Sequence, residues 1–171
     1  PDVLRPVLLI LGGSLGAQSI NELVYDVLDE LLKSFQVIHL TGKGKSKIID
    51  KKGYKSFEFL KDEFKNILAC SELVVSRAGA NSLFELLAAQ KPMLLIPLSK
   101  GSRGDQVDNA KNFVKEGWAE VLEESELSPA VFLEACYNLD KKKEELQLNL
   151  ENKKLLTHDH DKIIQLIEEN R

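Results

Sequence analysis

The sequence is poor in the residues that staple or punctuate unusual folds. Among 171 residues it has two cysteines, one tryptophan, one methionine and five prolines, and aromatic side chains make up 6%. Two cysteines cannot build a disulfide framework. Cys70 and Cys136 lie far apart, fit no metal-ligand spacing, and read as reduced core residues of a cytosolic protein. No apolar run approaches the length that spans a bilayer, and neither a spanning helix nor a leader peptide is expected. An excess of positive charge is also missing: net charge is −4, with a pI of about 5.5, so nucleic acid is not expected as a partner. The opening GGSLGAQ stretch is not a G-x-G-x-x-G dinucleotide fingerprint, and no Gly-Lys-Ser/Thr follows it to make a phosphate loop.

What is present suits one globular domain with a substantial core, since 43% of residues are hydrophobic and 29% charged. The chain opens on Pro1 rather than Met, which reads as a piece of something longer, cut at a linker. A continuous apolar run at Val7–Leu11 predicts a strand covered on both faces, and further strands are expected at Gln36–Leu40, Phe57–Leu60, Leu73–Ser76, Met93–Leu98 and Ala119–Leu122. Between them, helical spacing predicts helices over Ala17–Leu32, Asp62–Cys70, Ala80–Ala89 and Asp105–Glu116, the last stopped by Gly117. Ser128-Pro129 opens another helix, and the lysine- and glutamate-rich stretch from Asp140 reads as one or two surface helices. Strands alternating with helices predict an α/β domain: a Rossmann-like parallel sheet with helices on both faces.

Ligands of such sheets bind beyond the carboxyl ends of the strands, and four clusters fall there. In Gly12-Gly13-Ser14-Leu15-Gly16 a glycine turn feeds a helix N-terminus, whose free amides and dipole favour a phosphate, although a purely structural turn fits equally well. In Ser76-Arg77-Ala78-Gly79-Ala80-Asn81-Ser82 a second helix start succeeds a strand. Glu85, three residues past Ser82, suits either a capping box or a carboxylate that accepts both hydroxyls of a ribose. In the third cluster a glycine-containing loop leads to Asp105, an N-cap candidate. Gln106 and Asn109 beyond it share a helix face and suit sugar hydroxyls. The fourth runs from His39 to Gly44, where His39 reads as a satisfied, partly buried side chain rather than a base.

GGSLGAQ, TGKG, SRAGANSLFELLAAQKPMLLIP and GDQVDNA occur in an order and spacing that resemble the C-terminal half of the MurG family of bacterial N-acetylglucosaminyltransferases, glycosyltransferase family 28. The resemblance runs from about Val7 to Asn138. It implies one half of a two-domain GT-B enzyme, with residues 1–171 as the UDP-sugar donor domain and the N-terminal acceptor domain absent from this chain. The implied reaction transfers GlcNAc from UDP-GlcNAc, with inversion, to undecaprenyl-pyrophosphoryl-MurNAc-pentapeptide (lipid I), forming the lipid II of peptidoglycan. The implied location is cytoplasmic, on the inner face of the cell membrane, with the membrane surface and lipid I met through the other half. Neither metal nor cofactor is implied.

Carried over by position, the turn of Gly13, Ser14 and Gly16 faces the diphosphate, as does the helix start at Gly79, Ala80, Asn81 and Ser82. Some relatives have Leu-Thr where Asn81-Ser82 stands. Glu85 takes the ribose hydroxyls, Leu60 offers backbone contacts to uracil with Arg77 nearby, and Gln106 contacts GlcNAc. Asp105 departs from the two consecutive glutamines of some relatives. No residue here reads as the catalytic base. Other readings on the same architecture are a donor-binding subunit of a two-chain GlcNAc transferase, a glycolipid synthase, a UDP-GlcNAc 2-epimerase and an NAD-binding domain. The epimerase lacks its His and carboxylate set here, and the NAD domain lacks its fingerprint.

Overall fold

The computed structural model describes residues 5–12, 18–99 and 104–156. Six parallel strands form one sheet: β1 (Val7–Leu11), β2 (Gln36–Leu40), β3 (Tyr54–Phe57), β4 (Leu73–Ser76), β5 (Met93–Leu95) and β6 (Ala119–Val121). Their order is β3-β2-β1-β4-β5-β6, so the winding reverses between β1 and β4. Five helices accompany them: α1 (Gln18–Ser34), α2 (Phe64–Cys70), α3 (Ala80–Ala88), α4 (Asp105–Lys115) and α5 (Pro129–Leu156). A 3₁₀ turn at Glu124–Glu126 precedes α5.

Alternation along the strands sorts the core into two layers. Leu8 and Ile10 of β1 pack with Ile20, Val24 and Leu31 of α1 and with Phe132 and Leu139 of α5. Leu9 and Leu11 point the other way, into a layer with Leu83 and Leu86 of α3 and Ala110 and Phe113 of α4. Leu8, Leu9 and Ile10 are fully buried because both faces of the sheet are covered, which is why β1 is apolar without a break.

Several elements differ from the sequence-based expectation. The third strand lies three residues earlier than Phe57–Leu60. Gly53, at φ 91°, turns the chain so that Tyr54 aligns with Val37 and Phe57 with Leu40, while Phe59 is left 67% exposed. The fifth strand stops at Leu95, short of Pro97, which has no N–H to offer a ladder. Residues 140–156 do not form a separate surface helix. Helix α5 is continuous for 28 residues, starting with Ser128 Oγ accepting from the Val131 N–H at 3.3 Å. It passes from one layer to the other: Leu146 sits in the first and Leu150 in the second. The expected contacts Ile163, Ile164 and Ile167 lie outside the described residues, and nothing is described of the Leu155 side chain. Cys136 is a core residue as expected, but Cys70 is exposed, because it ends the short α2 on its outer side.

A buried polar chain ties α1 to the sheet. The Asn21 side-chain amide donates to Thr41 O at 2.9 Å, which turns Asn21 Oδ1 toward His39 Nε2, also at 2.9 Å. Oδ1 only accepts, so Nε2 carries the proton, and Nδ1 accepts from the Tyr54 hydroxyl at 3.1 Å. His39 is fully buried, and desolvation pushes its pKa down to about 4. The unfolded chain therefore binds a proton that the folded chain refuses between the ordinary histidine value of 6.5 and about 4. The contribution of neutral His39 is complete above pH 6.5 and is lost as pH falls through that window.

In urea unfolding, stability should fall by about 3 kcal/mol from this group as pH drops across the window. In His39→Gln that part of the profile should flatten. A separate outcome is expected at Gly117, which ends α4 at φ 71° with Gly117 N–H donating to Val114 O and Trp118 N–H to Phe113 O, and with the Trp118 and Phe113 rings in edge contact. A Cβ there would stand 2.8 Å from Asn149 Nδ2, whose amide already donates to Gly117 O at 3.0 Å. Gly117→Ala should cost about 1–3 kcal/mol from backbone strain and lost packing of α5, read as a lower thermal midpoint.

Candidate functional site

The reversal of winding sets the carboxyl ends of β1 and β4 side by side, the position at which sheets of this kind form a ligand crevice. The segment after β1 includes Gly13, Ser14 and Gly16, which lie outside the described residues. The segment after β4 is described throughout. After Ser76 come Arg77 and Ala78, both buried, and then α3.

Gly79 is the N-cap of α3, with no side-chain cap. The first backbone bond of the helix runs from Leu83 N–H to Gly79 O at 3.0 Å. The amides of Ala80, Asn81 and Ser82 precede it and have no acceptor within the helix. Among the described residues, a Cβ at Gly79 would meet nothing within 4 Å. These amides and the helix dipole suit an anion. With Gly79 as N-cap, Ser82 lies third in the helix and Glu85 a full turn beyond, which overturns the capping-box reading. Glu85 is exposed, and its carboxylate shares a helix face with Ser82.

Arg77 is an anchor beneath the crevice. Its Nη1 donates to Ile96 O at 3.2 Å, and its Nη2 reaches Ser19 Oγ at 3.2 Å and Glu124 Oε1 at 2.8 Å. The other Glu124 oxygen accepts from the Ser99 N–H at 3.3 Å and the Ser99 hydroxyl at 3.0 Å. Burial works to raise the Glu124 carboxyl, but the bonds from Arg77 and Ser99 outweigh it and hold the group below its ordinary value. Ends of β4 and β5, the first turn of α1 and the 3₁₀ turn thus meet at one guanidinium.

Helix α4 borders the same region. Gly104, at φ 87°, is its N-cap, a left-handed conformation natural to glycine, so Asp105 is the first helical residue and not the cap. Asp105 is exposed, and with Asp108 it places two carboxylates in the first turn, where the dipole favours them. The expected sugar-binding amides both hold loops. Gln106 Oε1 accepts from the Leu98 N–H at 3.0 Å, and Asn109 Nδ2 donates to Ala78 O at 3.1 Å. Asn109 therefore fixes the loop that leads into α3, and Gln106 fixes the segment after β5.

The structure brings Arg77, Gly79, Ala80, Asn81, Ser82, Glu85 and Gln106 to one end of the sheet. Leu60 is farther off: it is half-buried in the loop after β3, the outer strand, three places from β4. His39 is no base, because both of its ring nitrogens are engaged inside the core. Glu124 was not expected. It is brought to Arg77 across 47 residues by β5, β6 and the 3₁₀ turn, and no local pattern announces it. A groove of about 580 Å³ lies at the opposite end, between the amino ends of β4 and β5 and helix α5. Its lysines are held in place already: Lys91 donates to Ala69 O and Ser71 O, and Lys143 faces Glu72 and Asp140. None of the expected site residues reaches it.

The Glycosyltransferase family 28 C-terminal domain matches residues 7–167. A relative from Clostridium tetani, named UDP-N-acetylglucosamine–N-acetylmuramyl-(pentapeptide) pyrophosphoryl-undecaprenol N-acetylglucosamine transferase, is 47% identical over 167 residues, 96% of this chain and 46% of the relative. A Staphylococcus carnosus protein of the same name is 48% identical over 145 residues, 84% of this chain and 40% of that protein. The chain thus spans about half the length of the curated relatives it matches. The fold is that of the crystal structure of Acinetobacter baumannii MurG, with a TM-score of 0.72 at 23% identity, covering 88% of this chain and 45% of that one. The six-stranded parallel sheet with helices on both faces is therefore one half of a GT-B glycosyltransferase architecture. On the family match and these relatives together, the chain belongs to the glycosyltransferase family 28 C-terminal domain family.

Proposed function

We propose that this chain is the donor-binding half of an inverting N-acetylglucosaminyltransferase, holding UDP-GlcNAc while a second half of the enzyme holds the lipid I acceptor. The observation that carries the reading is the uncapped N-terminus of α3 beside the β1/β4 reversal, with the exposed Glu85 carboxylate on the same helix. The names of relatives 47–48% identical to it supply the substrate.

In this reading the amides of Ala80, Asn81 and Ser82, together with the turn of Gly13, Ser14 and Gly16, receive the diphosphate. Charge accumulates on the diphosphate as UDP leaves, so donors fixed there in advance stabilise the transition state more than the ground state. Glu85 accepts the vicinal ribose hydroxyls, which need paired acceptors. Leu60 offers its backbone to the base. Arg77 acts from below, by fixing the ends of β4 and β5 rather than by meeting the nucleotide, because its guanidinium is already engaged by Glu124, Ser19 and Ile96. Gln106 still has its amide N–H groups to offer the sugar while its oxygen holds Leu98 N–H, and Asp105 stands beside it. The base that deprotonates the acceptor hydroxyl belongs to the acceptor half, as do the lipid I contacts and the cytoplasmic membrane face on which the enzyme works.

Calorimetric titration with UDP, UDP-GlcNAc, UDP-glucose and NAD tests the reading. UDP and UDP-GlcNAc should bind, NAD should not, and Glu85→Ala should weaken UDP at least about tenfold, equal to about 1.4 kcal/mol, by deleting the ribose acceptor. A preference for UDP-GlcNAc over UDP-glucose would separate this activity from that of a glycolipid synthase. Absence of uridine-nucleotide binding, both here and in the full-length protein, would refute it.

A further inference from the structure

Beyond Leu95 the chain leaves β5 as a segment whose course is set by side chains from other parts of the molecule. Ile96 O accepts from Arg77 Nη1 at 3.2 Å, and the Leu98 N–H donates to Gln106 Oε1 at 3.0 Å. Ser99 gives both its N–H and its hydroxyl to one oxygen of Glu124, at 3.3 and 3.0 Å. Packing fades along the same stretch: Ile96 and Pro97 are buried, Leu98 is half-buried and Ser99 is exposed. Glu124 thus takes hold where the core no longer does. Its own place is fixed by β6, since the Leu122 N–H still donates to Leu95 O at 2.9 Å and the 3₁₀ turn begins two residues later.

Two features separate this carboxylate from an ordinary structural ion pair. A bond to an exposed serine returns little stability, because water competes for the same groups. A carboxylate at the end of the sheet where an anion is to bind also opposes that anion by long-range repulsion. What Glu124 supplies is position, and it does so in two directions. Through Arg77, whose Nη2 lies 2.8 Å from Glu124 and also reaches Ser19 Oγ, it connects to the first turn of α1. Through Ser99 it holds the neighbour of Leu98, whose N–H engages the Gln106 side chain. The oxygen of Gln106 is committed to that bond, so the Gln106 amide follows the segment wherever it lies.

We propose that Glu124 is a positioning residue for the sugar of the nucleotide donor, acting through Ser99 and Leu98 on Gln106, a role that rests on the donor-site reading above. With the segment held, the Gln106 amide keeps one orientation, and its N–H groups meet a sugar hydroxyl without rearrangement. With Ser99 released, the segment takes several positions and the amide follows. Part of the gain from sugar contact then goes into ordering the segment again. The diphosphate and the ribose are met on α3, a different element, and depend on its backbone amides and on Glu85 rather than on this segment. Glu124 therefore acts on the sugar increment and not on the nucleotide.

The test is calorimetric titration of the 171-residue chain with UDP and with UDP-GlcNAc, read as the ratio of the two affinities. In Glu124→Gln the oxygen stays on the charged Arg77, and the amide NH₂ faces the Ser99 N–H, from which it cannot accept. Ser99→Ala deletes the hydroxyl bond alone and leaves Arg77 paired, so it tests the same contact without a risk to folding. Each variant should weaken UDP-GlcNAc by about threefold to tenfold while UDP changes by less than about twofold. In the double variant the losses should combine to less than their product, as expected of groups that share one contact. Ser99→Thr keeps the hydroxyl and should keep the ratio. An unchanged ratio in both Glu124→Gln and Ser99→Ala, with UDP still bound, overturns the proposal and leaves the donor reading standing. Equal losses for UDP and UDP-GlcNAc, with a lowered thermal midpoint, would make Glu124 merely structural and overturn it too. Absence of UDP binding by the unaltered chain and by the full-length protein would remove the donor reading, and this role with it.

Discussion

Val7–Leu11 pairs with β2 on one side and β4 on the other, and the adjacency of β1 and β4 governs where the rest of the chain can go. Because β1 is central and buried on both faces, the chain must leave it, wind outward through β2 and β3, and return to its other side to begin β4. The return places two strand ends next to each other. Side chains fill the space between sheet and helices on both faces, as the two core layers show. The position of the crevice is thus a consequence of strand order, and the segment after β4 borders it by topology before any question of its chemistry arises.

Polar groups are then used to fix the rim. One guanidinium under the crevice joins α1, β4, β5 and the 3₁₀ turn, and an asparagine–histidine–tyrosine chain joins the first turn of α1 to β2 and β3. Each is buried, and each is hydrogen-bonded on more than one side, the condition under which buried polar groups add rigidity rather than only a desolvation penalty. The amides of Gln106 and Asn109 extend the scheme to α4. Local apolar packing alone would let these strand-end loops shift relative to one another. Directional bonds between elements distant in sequence remove that freedom, and they hold the loop that leads into the uncapped start of α3.

The sequence was most legible where burial acts on a short contiguous stretch. β1 and β4 are apolar because both sheet faces are covered there, β2 is fully buried on one face only, and the limits of all three could be read directly. β3 was misplaced because Phe57, Phe59 and Leu60 form the more apolar run, whereas the strand is set by its alignment with Val37–Leu40 and by the turn at Gly53. The length of α5 was hidden for a related reason. Its buried side shifts from one core layer to the other between Leu146 and Leu150, so no single stripe persists along it. At the site, the helix start at Gly79 and the exposed carboxylate of Glu85 are consistent with local pattern. Glu124 is not, since its partnership with Arg77 exists only once two further strands have been laid down.

Helix α5 also bears on why the exposed features lie where they do. By crossing past the amino ends of β4 and β5 it ties the two layers together from behind, with Asn149 bonding to Gly117 O and Gln90 to Leu150 O. Both faces of the sheet are thereby covered by this chain's own elements, while the groove between α5 and the amino ends of β4 and β5 stays open behind them. At the carboxyl end the start of α3 carries no side-chain cap, so its first amides stand without acceptors in the helix. A domain that satisfies nearly every buried polar group within itself leaves such donors outward only where folding does not require them, and an anion is their chemical complement.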